Sequence, residues 1–145
     1  MQKTEIIVGG ALFSAEGKLL LLRPATVGGS ESWELPGGVL EFGEAPELAT
    51  IRCVSECAGI DVSVDRPLGA WSELAQTGEA NLFRVHIEYT LRCAGALTGV
   101  DLDRERFAGF AWVTAAEAQA RVELPALRQS LERAFNLLAR SRKNG

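Results

Sequence analysis

The sequence predicts an α/β protein with a mixed sheet between helices. Three observations predict it: strand-like apolar runs at the amino end, one amphipathic helical stretch in the middle, and a return to strand periodicity before an amphipathic closing helix. Ile6 to Phe13 and Lys18 to Arg23 are the opening runs, separated by SAEG, whose Gly17 suits a tight reversal; the pair reads as a hairpin. From Pro24 to Ser32 the residues turn small and polar, and WELPGG then brings a proline and two glycines, as a loop of fixed shape would.

A helix is expected from Pro46, a residue suited to the first turn, to Gly59, suited to a left-handed C-cap. At 100° per residue, Leu48, Ile51, Val54, Ser55 and Ala58 share one mostly apolar stripe, which puts positions 53, 56 and 57 on the side away from the core. Phe83, Val85, Ile87, Tyr89 and Leu91 alternate with Arg84, His86, Glu88 and Thr90, the period of a strand with one polar face. Phe110 to Val113 reads as a short strand, and TAAE, Thr114 to Glu117, as the capping box of a short helix. Leu124, Leu127, Leu131, Phe135 and Leu138 then recur at helical spacing behind Pro125, and the basic ending RSRKNG reads as a frayed, solvated tail.

At 145 residues, 47% hydrophobic and without repeats, the chain suits a single domain, 1–145, that needs no disulfide or structural metal. The amino-terminal MQKTEIIVGG lacks the apolar core of a signal peptide, and the longest apolar run, Leu19 to Leu22, is far too short to cross a bilayer, so a soluble, cytoplasmic protein with no membrane partner is expected. The odd count of three cysteines, Cys53, Cys57 and Cys93, makes free thiols the default. A net charge of −4 argues against nucleic acid as a partner, because such binding draws on clustered positive charge.

Gly38, Glu44, Arg52, Val54, Glu56, Gly59 and Ile60 match seven of the nine specified positions of the Nudix box, with WELPGG just upstream and AWV at Ala111 to Val113 similar to the family's late strand. The chain therefore resembles the Nudix (MutT-like) hydrolases. The resemblance implies a Nudix-type α/β/α sandwich with a mixed, curved sheet. It implies a Mg²⁺- or Mn²⁺-dependent pyrophosphohydrolase that cuts a nucleoside diphosphate linked to another moiety, with water as nucleophile, and a homodimer as one form of assembly. Bound cations answer a physical need, since a diphosphate repels an attacking oxygen until its charge is neutralised. By the same resemblance Glu56 and Glu44 hold metal and Arg52 orients them. Gly37 and Gly38 shape a turn whose amides lie near phosphate.

The departures from the motif are Cys53 and Cys57, where it has glutamate. A thiol is a poor magnesium ligand, so at most one weakly held ion is expected, completed by water and ligand phosphates. The pair admits three readings: two small hydrophobic replacements on a covered face, a soft zinc site with His86, and a disulfide. The second lacks the familiar zinc spacings, and the third asks helical Cβ atoms about 5–6 Å apart to span the roughly 3.8 Å of a disulfide. His86 or Glu88 offers a substitute base if its strand face lines the cleft. Trp33 and Trp71 are candidates for stacking on a nucleobase, or for burial in the sheet. Two readings of function stand together: a hydrolase with weakened activity, and a nucleotide-binding or regulatory protein that has lost the chemistry.

Overall fold

A computed structural model describes residues 2–25, 32–77 and 80–144. Its elements are β1 (Gln2–Ala11), β2 (Leu19–Pro24), β3 (Gly37–Val39), α1 (Pro46–Ala58), β4 (Val62–Thr77), β5 (Ala80–Cys93), β6 (Phe107–Val113), α2 (Ala115–Arg121) and α3 (Pro125–Asn144). One sheet has the order β3-β1-β5-β4, with β1 parallel to β5 and the other pairings antiparallel; β2 and β6 form a separate antiparallel ribbon.

The opening hairpin does not form as expected. β1 and β2 touch only around the turn, through the Phe13–Leu19 bridge and the Leu20 amide donating to the Leu12 carbonyl at 3.0 Å, and then diverge into different sheets. The reason lies in LLLL. Leu20 and Leu22 pack under α1 with Val54, Cys57, Tyr89 and Leu91, while Leu19 and Leu21 pack under α3 with Leu68, Val113, Leu127 and Leu131. A strand buried on both faces belongs in the middle of the layers. The result is an α/β/α sandwich with one core on each side.

α1 spans Pro46–Ala58 with Gly59 in the left-handed conformation as its C-cap, but it presents a different face from the one the apolar stripe predicts. Its buried residues are Ala49, Thr50, Cys53, Val54, Cys57 and Ala58, while Leu48 is 65% exposed. Small side chains won over large ones because the opposing wall is β1 and β3. A Cβ on Gly37 would stand 2.0 Å from the Val8 carbonyl oxygen, so these strands meet more closely than any other residue allows. Gly37 and Gly38 are thus strand residues rather than a turn. The Thr114 capping box forms as read, and the basic tail continues α3 to Asn144, with Arg142 Nη2 donating to the Ala15 carbonyl at 2.9 Å. The expected loop over 24–32 lies mostly outside the described residues.

Candidate active site

A cleft of about 650 Å³ opens on the α3 side of the sheet. Gly37, Gly38, Val39 and Arg106 bound it at the β3 edge, Trp33 and Glu34 form a wall, and Trp71, His86 and Glu88 project from β4 and β5. The polar face of β5 therefore lines the cleft, through the alternation that puts Phe83, Ile87 and Leu91 on the other face.

Arg52, Glu44 and Glu56 come together on the outer side of α1, against the rim of this cleft rather than inside it. Arg52 Nε and Nη2 donate to Glu44 Oε2 and Oε1 at 2.6 and 2.8 Å, Nη1 donates to Glu56 Oε2 at 3.1 Å, and Nη2 also donates to the Val39 carbonyl at 3.1 Å. This two-pronged grip, with the Glu41 amide on Oε1, draws the Glu44 carboxyl down to about 2. Glu44 has both oxygens committed, whereas the Glu56 side chain is 54% exposed.

Cys53 and Cys57 fall on the core side, not on the solvent side the helical wheel indicated. They are 2% and 0% exposed, with Sγ atoms 3.9 and 3.8 Å from the Val39 and Val54 carbonyl oxygens. Burial pushes the Cys57 thiol up to about 11 and raises Cys53 as well, so both are neutral near physiological pH. Both are free cysteines, and His86 is turned instead to Glu73 Oε2, at 2.7 Å.

This donor set decides which ion fits. Among the described residues, no group of three or more His, Cys, Asp or Glu side chains is placed to hold a metal. With two neutral buried thiols and both Glu44 oxygens held by Arg52, Glu56, which Arg52 holds through one oxygen, is the more open of the two box carboxylates. One hard cation, completed by water and ligand phosphates, suits that arrangement; a metal cluster does not.

Trp71 is stacked on His86, with ring centroids 3.8 Å apart and planes 3° from parallel, so one face of its indole is taken. Trp33 is flanked by Arg121 and Arg23, whose guanidinium carbons lie 4.6 and 5.9 Å from its ring. Glu88 is 5% exposed and its pKa is raised by loss of water, with Ser130 and Trp71 opposing that rise. Even so, neither Trp71 Nε1 nor Glu88 Oε1 completes a hydrogen bond. Glu34 keeps an exposed side, yet the cleft walls strip enough water from its carboxyl to raise it to about 6, against the pull of Arg106 and Arg84. Glu34, Glu73 and Arg106 were not singled out in the sequence. Of these only Glu34 carried a signal, its place inside WELPGG.

A family profile of the NUDIX domain matches residues 3–135. A MutT-like protein of Streptomyces ambofaciens is 34% identical over 117 residues, covering 81% of this chain and 68% of its own length. Solved structures share the fold, among them the two that follow. The MutT protein of Methanosarcina mazei Go1 aligns with a TM-score of 0.69 and 23% identity over 95% of this chain and 96% of its own. A C. elegans Ap4A hydrolase aligns with 0.68 and 16% over 94% and 97%. Profile, relative and fold agree with the motif read at Gly38 to Ile60, and the chain belongs to the Nudix family.

Proposed function

We propose that this protein is a cytoplasmic pyrophosphohydrolase of a nucleoside diphosphate linked to another moiety, with activity weakened by the loss of two box carboxylates. The reading is carried by one juxtaposition: the Arg52–Glu44–Glu56 cluster bonds to Val39 on one side of β3, and the cleft with Trp33 and Trp71 opens on the other. A ligand spanning that rim has its phosphates near Glu56 and its heterocycle in the cleft. The fold is shared with an Ap4A hydrolase, itself an enzyme of a nucleotide derivative.

Mg²⁺ or Mn²⁺, held by Glu56 with water and phosphate oxygens, would neutralise the diphosphate and polarise its bridging oxygen. Glu44 acts one step back, fixing Arg52, which in turn aims Glu56. Gly37 and Gly38 carry no side chain because β1 and the Cys53 and Arg106 side chains fill the space beside them, which brings Arg106 to the rim where the phosphates would lie. Water attacks phosphorus, the P–O bond to the leaving phosphate breaks, and the water's proton passes to a carboxylate. Glu34, next to the Gly37–Gly38 segment and titrating at about 6, is best placed to receive it. His86 and Glu88 lie deeper and serve the heterocycle.

The neutral, buried Cys53 and Cys57 favour the second reading, a nucleotide-binding protein without turnover. A chromatographic screen of nucleoside diphosphate sugars, dinucleoside polyphosphates and nucleoside triphosphates, with Mg²⁺ and then Mn²⁺, separates the two. The hydrolase reading expects slow cleavage that falls about tenfold or more in Glu56→Gln and in Glu34→Gln. Tight binding with no product under either ion would leave the second reading standing alone.

A further inference from the structure

We propose that Arg106 is the built-in cation of the diphosphate subsite, gripping the phosphates of a nucleoside diphosphate derivative in the absence of any divalent ion. The inference rests on the nucleotide-derivative reading above and adds to it how the ligand is held. Arg106 Nη2 donates to the Gly37 carbonyl at 3.3 Å, and a methyl group placed on Gly38 would meet this nitrogen at 3.3 Å and Cys53 Sγ at 3.0 Å. Guanidinium and thiol therefore converge on the same glycine at the cleft rim. The charge of Arg106 also acts on Cys53, Cys57 and Glu34.

The backbone that carries Arg106 is fixed. The amides of Asp101 and Asp103 donate to the Ala58 and Cys57 carbonyls at 2.9 Å each, tying this segment to the last turn of α1. The Arg106 carbonyl accepts from the Ala25 amide at 2.9 Å, and the guanidinium lies 5.2 Å from the Phe107 ring. Of the two arginines that line the cleft, Arg84 is paired with Glu5 at 3.4 Å, whereas among the described residues Arg106 has no carboxylate within ion-pairing distance.

Charge balance joins these facts. Glutamates at positions 53 and 57 would neutralise a cation so close, and would themselves need further cations before a diphosphate could approach. With cysteines there, no carboxylate at these positions competes for the guanidinium, and its planar fork suits two phosphate oxygens. The cleft also carries Glu5, Glu34, Glu73 and Glu88, so the attraction for phosphate is local to the rim, where Arg106 faces Cys53 across Gly38 and not a carboxylate.

The test is calorimetric titration of the protein in EDTA with inorganic pyrophosphate, ADP and adenosine, for wild type, Arg106→Ala and Arg106→Lys. Wild type is expected to bind pyrophosphate and ADP without metal. Arg106→Ala should weaken both by about tenfold to a hundredfold while leaving adenosine unchanged, and Arg106→Lys should recover part of the loss. Equal pyrophosphate affinity in wild type and Arg106→Ala, or wild-type binding only when Mg²⁺ is supplied, overturns the assignment. If pyrophosphate binding depends on Arg106 but ADP gains nothing over pyrophosphate, the subsite stands and the nucleotide reading falls.

Discussion

The carboxyls of Glu44 and Glu34 are displaced in opposite directions, and the sign of each displacement sets where it acts on stability. Glu44 is lowered from 4.5 to about 2, chiefly by the Arg52 hydrogen bonds, so its contribution is complete above 4.5 and is lost as pH falls toward 2. Arg52→Gln should therefore melt below wild type at neutral pH, with the gap closing at the acid end. Glu34 is raised from 4.5 to about 6 by desolvation, so its contribution is present below 4.5 and disappears as pH rises through 6. Glu34→Gln, which keeps a neutral group there, should gain slightly in melting temperature relative to wild type at about pH 7.5, the effect being damped by water on the exposed side of Glu34, and show no gain at 4.5. Thermal melts of the three proteins across this range check both; a Glu34→Gln difference that does not change with pH would show that this carboxyl is not held above its ordinary value.

Between elements, the contact of α1 with β1 and β3 is set by glycines, and it separates two neighbours that the motif treats almost alike. At Gly37 a Cβ would fall 2.0 Å from the Val8 carbonyl oxygen, a backbone atom that cannot yield without breaking the β1–β3 pairing. At Gly38 the nearest atoms are the ends of Cys53 and Arg106 side chains at 3.0 and 3.3 Å, which can turn aside. Gly37→Ala is expected to cost about 3 kcal/mol or more and Gly38→Ala about 1 kcal/mol, measured by urea denaturation. Equal costs would place the close approach elsewhere. The same contact explains what the sequence withheld. Motif, caps and helix bounds were legible because they depend on local chemistry at Pro46, Gly59 and Thr114. The facing of α1 was not, because Leu48 and Ile51 suggest a stripe that only a wall with side chains would accept. β4 escaped notice for a related reason: register shifts around Arg66 and Gly69 interrupt its alternation, and Pro67 is tolerated because β4 is an edge strand. At the site, Arg52, Glu44 and Glu56 could be named from the resemblance to the Nudix box. Arg106 could not, since it reaches Gly37 from a segment 69 residues away.

At the scale of the whole molecule, β2 is where the two cores meet. Its run of four leucines sends alternate side chains to opposite faces: Leu20 into the core that seats α1 and the box, Leu21 into the core that seats α3 and one side of the cleft. The two leucines are sequence neighbours but lie in different clusters, so a cavity under one should not be relieved by collapse of the other's surroundings. Leu20→Val and Leu21→Val are each expected to cost about 1 kcal/mol, and the double variant to lose their sum within about 0.5 kcal/mol in urea denaturation. The variants should part in function even where they agree in stability. Leu20→Val loosens the seat of α1, and with it the alignment of Arg52 and Glu56. Leu21→Val acts instead on the side that packs Trp33, Trp71 and Leu127. Titration with adenosine should then weaken for Leu21→Val alone, while a substantial coupling energy in the double variant would mean that the cores respond as one body through the ribbon.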